Sequence, residues 1–426
     1  MAYQPVAVIE VRAWGRRVGA VARDPRTGFY AFQYDGAWLR DGHDLAPLTT
    51  PFDSRARVAV GLSEATFARL PAMLADSLPD RFGNALITAY LAGEGVRRDA
   101  ISPLDRLAYM GGRAMGALEF RPPTGPSLEG GSLFQIAGLV DEARRALDGS
   151  FGTPEDATAG VRHLLDIGTS AGGARAKAVI AMNSTTGEIR SGQVEAPAGF
   201  EHWLIKFDGV GADLELGSSG NYGRIEFGYH LMASEAGIAM MDCRLLEEGG
   251  RAHFLTRRFD RIDDSKVHVQ TLCAMAEVDF NLVGVNDYAQ FIDAIDRLGL
   301  GPEARAEAFR RAAFNIAAAN CEDHTKNQAF QLPQSGQWAL APAYDITHAY
   351  NPDGQWTFQH LMGVNGVFDG AGRDHLLRFA DQHEVPGAKS ILDGINDALR
   401  SWPEHGRAAG LPPAAIDQIA CDFRQV

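Results

Sequence analysis

The chain has 426 residues, 46% of them hydrophobic and 22% charged, with a formal net charge of −14. That balance belongs to a globular protein long enough for two or three domains or one large two-lobed enzyme, and it excludes extensive disorder. A negative field of this size repels phosphate backbones, so any nucleic-acid contact is expected through a local basic patch or a basic partner.

No apolar run reaches the roughly eighteen residues that a membrane span needs. The apolar start, Val6–Ile9, is too short for a signal peptide. The four cysteines, Cys243, Cys273, Cys321 and Cys421, share no CxxC or zinc-like spacing. They read as reduced, mostly buried thiols of a cytoplasmic protein.

In chain order, Val6–Trp14, Gly28–Tyr34 and Gly116–Arg121 have strand patterns. Ser63–Leu78 carries a helical stripe of Phe67, Leu70, Met73, Leu74 and Leu78 that Pro71 should kink or split. Pro122–Gly131 is the clearest linker, and Ser132 with Gln135 forms a capping box for a helix reaching about Leu147. The small-residue loop Ile167–Lys177 then runs into an apolar strand at Ala178–Met182. Strand Trp203–Phe207, helix Arg224–Ala236 and strand His253–Phe259 follow. Beyond Arg261 the pattern is mainly helical. Pro302 opens a helix with Ala306, Phe309, Ala313 and Ile316 on one face. That helix delivers the polar loop Asn320–Asn327, a small hairpin at Gln328–Leu332 and Gln337–Leu340, and then Ala341–Asp345. The last clear helix is Ala388–Trp402.

Phosphoryl transfer needs a phosphate cradle, a cation, metal ligands and a base to orient the acceptor hydroxyl. Candidates for each occur in kinase order. Lys206 sits in a short apolar strand, and Glu226 lies on the following helix, where a kinase places that lysine's partner. Asn327 has Glu322 five residues before it and Asp323 four before it, close to the Asp-x-x-x-x-Asn spacing of a kinase catalytic loop, with His324 and Lys326 between. Asp345 follows the hairpin, where an acid can chelate Mg²⁺ beside Asn327. Taken singly, each has an ordinary alternative: a surface lysine, a solvated glutamate, a helix-capping loop, a turn aspartate. The ordered set is the specific signal.

Ser170–Lys177 (SAGGARAK), Asp323–Asn327 (DHTKN) and Ala343–Asp345 (AYD) together resemble the HipA family of serine/threonine kinases. The N-terminal third is similar to that family's N-terminal domain at Trp14–Gly15, Val18–Gly19, Leu78–Asp80, Gly112–Arg113 and Met115–Leu118. The resemblance implies an α+β chain. It would comprise an N-terminal α/β domain (1–121), a kinase N-lobe with the phosphate-binding loop (122–261) and a helical C-lobe (262–426). It implies ATP and Mg²⁺ as cofactors, with Gly172, Gly173, Ala174, Lys177 and Lys206 on the phosphates. Arg257, Phe259 and Asp260 fall in the hinge that would meet adenine, and Asn327 and Asp345 would bind metal. Ser170 matches an autophosphorylated serine. A phosphate there adds roughly two negative charges to a loop that cradles ATP, a rationale for an off-switch. The family usually has Asp where this chain has Glu322, so Glu322 or Asp323 is the expected base, with His324 beside it.

The resemblance further implies a HipB-like helix-turn-helix antitoxin, DNA contact only through that partner, and a protein substrate such as an aminoacyl-tRNA synthetase. Two readings stand beside an active toxin kinase linked to persistence. One is a catalytically weak ATP-binding scaffold for the antitoxin, and the other is a small-molecule phosphotransferase.

Overall fold

The computed structural model describes residues 4–93, 95–125, 176–193, 196–208, 220–262 and 265–426. The helix expected from Ser132, and the loop segment with Ser170, Gly172, Gly173 and Ala174, lie outside the described residues.

The N-terminal third folds around an antiparallel sheet of β1 (Val8–Ala13), β2 (Arg16–Arg23), β3 (Tyr30–Tyr34), β4 (Arg57–Val58) and β5 (Leu118–Arg121), in the order β4-β3-β2-β1-β5. Strand alternation explains β1: Ile9, Val11 and Ala13 are fully buried, and Glu10 and Arg12 face outward. Trp14 and Gly15, both at positive φ, join β1 to β2 in a two-residue turn whose twist suits a hairpin. The helix expected over Ser63–Leu78 is two single turns, Glu64–Phe67 and Ala72–Ala75, separated at Pro71, which has no N–H to continue a helix. Phe67, Leu70, Met73 and Leu74 are nonetheless buried as the stripe requires. Two further helices, Arg81–Gly93 and Pro103–Met110, lie beyond what the sequence pattern predicts.

The second antiparallel sheet contains β6 (Lys177–Met182), β7 (Ile189–Ser191), β8 (Glu201–Lys206), β9 (Cys243–Glu248) and β10 (Arg251–Arg257), in the order β7-β6-β8-β10-β9. Its two faces have different work. Ala178, Ile180, Trp203, Ile205 and Leu255 join Ile9, Val11 and Phe32 in one continuous core. Register places Lys177 opposite Lys206, Val179 opposite Leu204, Phe254 opposite Lys206 and Thr256 opposite Leu204, so these side chains share the other face.

The helix Tyr222–Glu235 belongs to a second core with the C-terminal helices, among them Tyr288–Arg297, Gly301–Ala317, Ala388–Arg400 and Trp402–Ala408. Tyr229 packs edge-on against Trp402 at 5.3 Å between ring centroids. The cores therefore do not divide at residues 121 and 261. The hairpin Ala329–Leu332 and Ala339–Leu340 forms as expected and gains a third strand, His268–Thr271. Cys273 and Cys321 are buried, Cys243 is half-buried and Cys421 is exposed, so the thiols are less buried as a set than expected.

Asp260 stitches the two sheets together. It is fully buried and accepts from Arg258 Nε at 2.8 Å, Arg261 Nη1 at 2.6 Å and the Gly116 amide at 2.8 Å. Gly116 has φ +82°, and an added Cβ would meet the Val269 amide at 2.9 Å, so the close approach needs glycine. Burial acts to raise the Asp260 carboxyl, and Arg258 and Arg261 outweigh it, holding the group well below the usual carboxylate range. Asp260→Ala should leave a buried guanidinium uncompensated and lower the unfolding free energy by about 3–5 kcal/mol in urea titrations. A loss under about 1 kcal/mol would mean that the network contributes no more than an exposed ion pair.

Candidate active site

Lys206 closes β8 on the sheet face opposite the N-terminal core. Its ammonium donates to Glu226 of the 222–235 helix and to Asp345 of the loop after the hairpin. The Lys206 and Glu226 side chains are 12% and 3% exposed. Burial alone would neutralise this ammonium, but Asp345 and Glu226 outweigh it and keep it protonated above the usual lysine range. Burial likewise acts to raise Asp345. The pull of Lys206, then of Lys177, leaves its carboxyl below the ordinary value.

The backbone aims Asp345. It sits at φ +54°, a left-handed conformation that Asp tolerates better than most side chains. The preceding Ala343 amide donates to Ala239 O at 2.8 Å, tying this loop to the end of the Glu226 helix. Tyr344 donates its hydroxyl to Lys326 O at 2.6 Å and stacks on Phe259 at 5.9 Å between centroids. Asp345, Asn327, Asn320, Asp323 and Tyr344 line one pocket.

The polar loop separates its two acids. Asp323 is 1% exposed. Its Oδ1 accepts from the amides of Leu361 at 2.8 Å and Met362 at 3.3 Å, and its Oδ2 meets the Tyr288 hydroxyl at 2.9 Å and His360 Nδ1 at 3.1 Å. With four donors on two oxygens, Asp323 is an anchor of the loop, which corrects the expectation that it could orient a substrate hydroxyl. Glu322 is half-buried, and its carbonyl accepts from Asn327 Nδ2 at 2.8 Å, leaving the Asn327 amide oxygen as that side chain's ligand atom. His324, expected beside the base to supply a positive or hydrogen-bonding group, keeps only the second of these roles. Burial pushes its imidazole down to about 4, so it is neutral near pH 7, edge-on to Phe280.

The expected nucleotide ligands divide. Lys177 lies opposite Lys206 in the sheet register, 3.5 Å from Asp80 of the N-terminal domain. Arg257 has the same strand parity as Leu255, so it points to the opposite face from Lys206, ion-paired to Glu201 at 3.3 Å. Asp260 is committed to Arg258, Arg261 and Gly116. In the hinge, the Arg257 and Arg258 amides donate to Asp242 O and His202 O, both at 2.9 Å, so these donors are taken. Phe259 is half-buried beside Tyr344, next to Asp345. Val179 and Leu204 are buried on the Lys206 face yet belong to neither core. Asp80 and Tyr344 also belong to the site. Neither carries a signal of its own in the sequence, although both lie within stretches similar to the HipA family.

A family model of the HipA-like C-terminal domain matches residues 169–402, and one of the HipA N-terminal domain matches residues 9–121. The chain belongs to the HipA family. No curated protein matches it in sequence. Among solved structures, HipA of Shewanella oneidensis MR-1, determined with HipB and its operator DNA, superposes with a TM-score of 0.65 at 17% identity, covering 97% of this chain and 95% of that one. The likeness is one of fold, and the mixed helix-and-sheet, two-lobed architecture expected from the sequence is this family's. The Helicobacter pylori proinflammatory kinase CtkA aligns with 52% of this chain and 88% of its own at 12% identity, and its TM-score of 0.33 is too low to bear on the fold. Among the described residues no helix is long and apolar enough to cross a membrane.

The donors of this HipA-family site suit one kind of divalent ion. Among the described residues no group of three or more His, Cys, Asp or Glu side chains converges, which argues against an all-protein cage. One carboxylate, Asp345, and one amide oxygen, Asn327, at a common pocket suit Mg²⁺, which takes few protein ligands and completes its shell with phosphates and water.

His360 gives the anchor a pH signature. Burial acts to lower its imidazole, and Asp323 outweighs it, raising the group to about 10. Because the folded value lies above the usual value of about 6.5, this pair's stabilisation is complete below about pH 6.5 and disappears as pH rises through about 10. His360→Asn should therefore have a lower Tm than the unaltered chain near pH 6.5, and the gap should close toward pH 10. A gap constant across that window would refute the ion pair.

Proposed function

We propose that this chain is an ATP-dependent serine/threonine protein kinase, the cytoplasmic toxin half of a toxin–antitoxin pair. The observation that carries the reading is the meeting of Lys206, Glu226 and Asp345 in one cleft, beside a pocket shared with Asn327. In the proposed reaction Lys206 binds the α/β-phosphates and Glu226 fixes its position. Asn327 and Asp345 would hold Mg²⁺, which when bound neutralises charge on the β- and γ-phosphates. Before that, Lys206 must release Asp345, exchanging a carboxylate for phosphate oxygens while keeping Glu226. Glu322, the other acid of the loop that Asp323 anchors, orients the acceptor hydroxyl.

Ser170, in the loop leading to Lys177, is the proposed autophosphorylation site and off-switch, since a dianion there repels bound ATP. The Shewanella complex with HipB and operator DNA supports a HipB-like antitoxin and DNA contact through that partner. An aminoacyl-tRNA synthetase is the proposed class of substrate.

Glutamate at 322, where the family usually has aspartate, favours a second reading, an ATP-binding scaffold with weak turnover. Incubation with Mg·ATP and mass-spectrometric mapping separates the two. Phosphate on Ser170 or on an added protein is the expected result, and nucleotide binding without transfer would replace the kinase with the scaffold. Glu322→Gln should slow transfer by about a hundredfold, the lower end of general-base contributions. Asp345→Ala with full activity would exclude the proposed metal site.

A further inference from the structure

Two lysines, Lys177 and Lys206, stand directly opposite on neighbouring strands and share one face. Like charges in that relation repel, so each needs a counter-charge. Lys206 has Glu226 and Asp345. Lys177 has Asp80, at 3.5 Å, and both side chains are 3% exposed. Asp80 comes from the N-terminal domain, about a hundred residues earlier in the chain.

The domain holds Asp80 from behind. Asp80 Oδ1 accepts from the Gly83 amide at 2.7 Å and its carbonyl accepts from the Asn84 amide at 2.8 Å, so it caps the 81–93 helix. Asn84 donates to Pro79 O at 2.8 Å and accepts from Arg106 at 2.7 Å. One carboxylate oxygen is thus fixed to a helix N-terminus while the other faces Lys177. Four residues earlier, Asp76 accepts from the Thr271 amide at 2.7 Å and its hydroxyl at 2.9 Å. Thr271 caps the short 272–275 helix, which packs against the 325–327 turn of the catalytic loop. The segment from Asp76 to Asp80 therefore braces both the phosphate-side strand and the catalytic loop. Burial raises both carboxyls, opposed by Lys177 and Lys326 at Asp80 and by Lys326 at Asp76. Lys177 is also the second cation, after Lys206, that acts on Asp345.

We propose that Asp80 is a positioning residue of the nucleotide site, holding Lys177 on the N-terminal domain's side and off Asp345, so that a divalent ion has only Lys206 to displace from that carboxylate. The inference rests on the kinase reading above. Without Asp80, the buried Lys177 loses its counter-charge in the N-terminal domain, and its pull on Asp345 is left to compete with the metal.

The test is equilibrium binding of a fluorescent ATP analogue to the full chain, titrated with Mg²⁺. Asp80→Asn should raise the Mg²⁺ concentration for half-maximal binding on the order of tenfold, a size typical of coupled charges in contact. In a Lys177→Met background the same Asp80→Asn change should have no effect on the Mg²⁺ midpoint, because its target is gone. Equal shifts in both backgrounds would overturn the proposal while leaving the kinase reading intact. Absence of Mg-dependent nucleotide binding by the unaltered chain would overturn both. Should Asp80→Asn fail to fold, Asp80→Glu displaces the carboxylate by one methylene and keeps its charge. It should shift the midpoint in the same direction by a smaller factor, and an unchanged midpoint would again overturn the assignment.

Discussion

A cation removed from water must keep company with anions, and the cleft is organised around that demand. Lys206 cannot remain charged at its depth without Glu226 and Asp345, and each carboxylate arrives on a different element. One helix is held at a fixed distance from the sheet because its glutamate must reach the strand. The loop after the hairpin must adopt a left-handed residue to present its aspartate. A single electrostatic requirement thus sets the relation of strand, helix and loop, and the proposed reaction calls on the same three groups.

Some of this is legible in the sequence because the signals are local. Pro71 splits its helix, the stripe of Phe309, Ala313 and Ile316 is buried with Ala306 half-buried at its edge, and the hairpin before Asp345 forms where turn residues interrupt two apolar runs. β2 is hard to read because its outer residues are arginines, and β9 (CRLLEE) is an edge strand with no buried residue and no alternation. The helix Tyr288–Arg297 carries a readable signature, Asp287 with Gln290 as a capping box and a stripe of Tyr288, Phe291, Ile292 and Ile295. In the site, order along the chain points to Lys206, Glu226, Asn327 and Asp345. Spacing alone does not separate Glu322 from Asp323, because the difference lies in long-range partners, the Leu361 and Met362 amides and His360. Asp80 is visible only as part of a motif, since its counter-charge is remote in sequence.

The polar loop Asn320–Asn327 shows how a buried network can give a short segment one conformation. Asn320 donates to Asn315, Asn315 to Tyr288, Tyr288 to Asp323, and His360 completes the chain, each link near 3 Å. In a low-dielectric interior, breaking any of these links strands a buried donor or acceptor, which holds the linked groups in place. The half-buried residues of the loop, Glu322, Lys326 and Asn327, project from that frame.

The shared core of the two sheets has a consequence for how the molecule can be cut or moved. Ala178, Ile180, Trp203 and Ile205 turn their backs on the cleft and lie in one core with Ile9, Val11 and Phe32. A fragment beginning after the linker would carry that apolar face bare into water, inviting aggregation. The amino-terminal third is therefore less an appended module than the outer wall of the sheet that carries Lys206. The two sheets travel as one piece, and the Asp76–Thr271 contacts fasten that piece to the helical side as well.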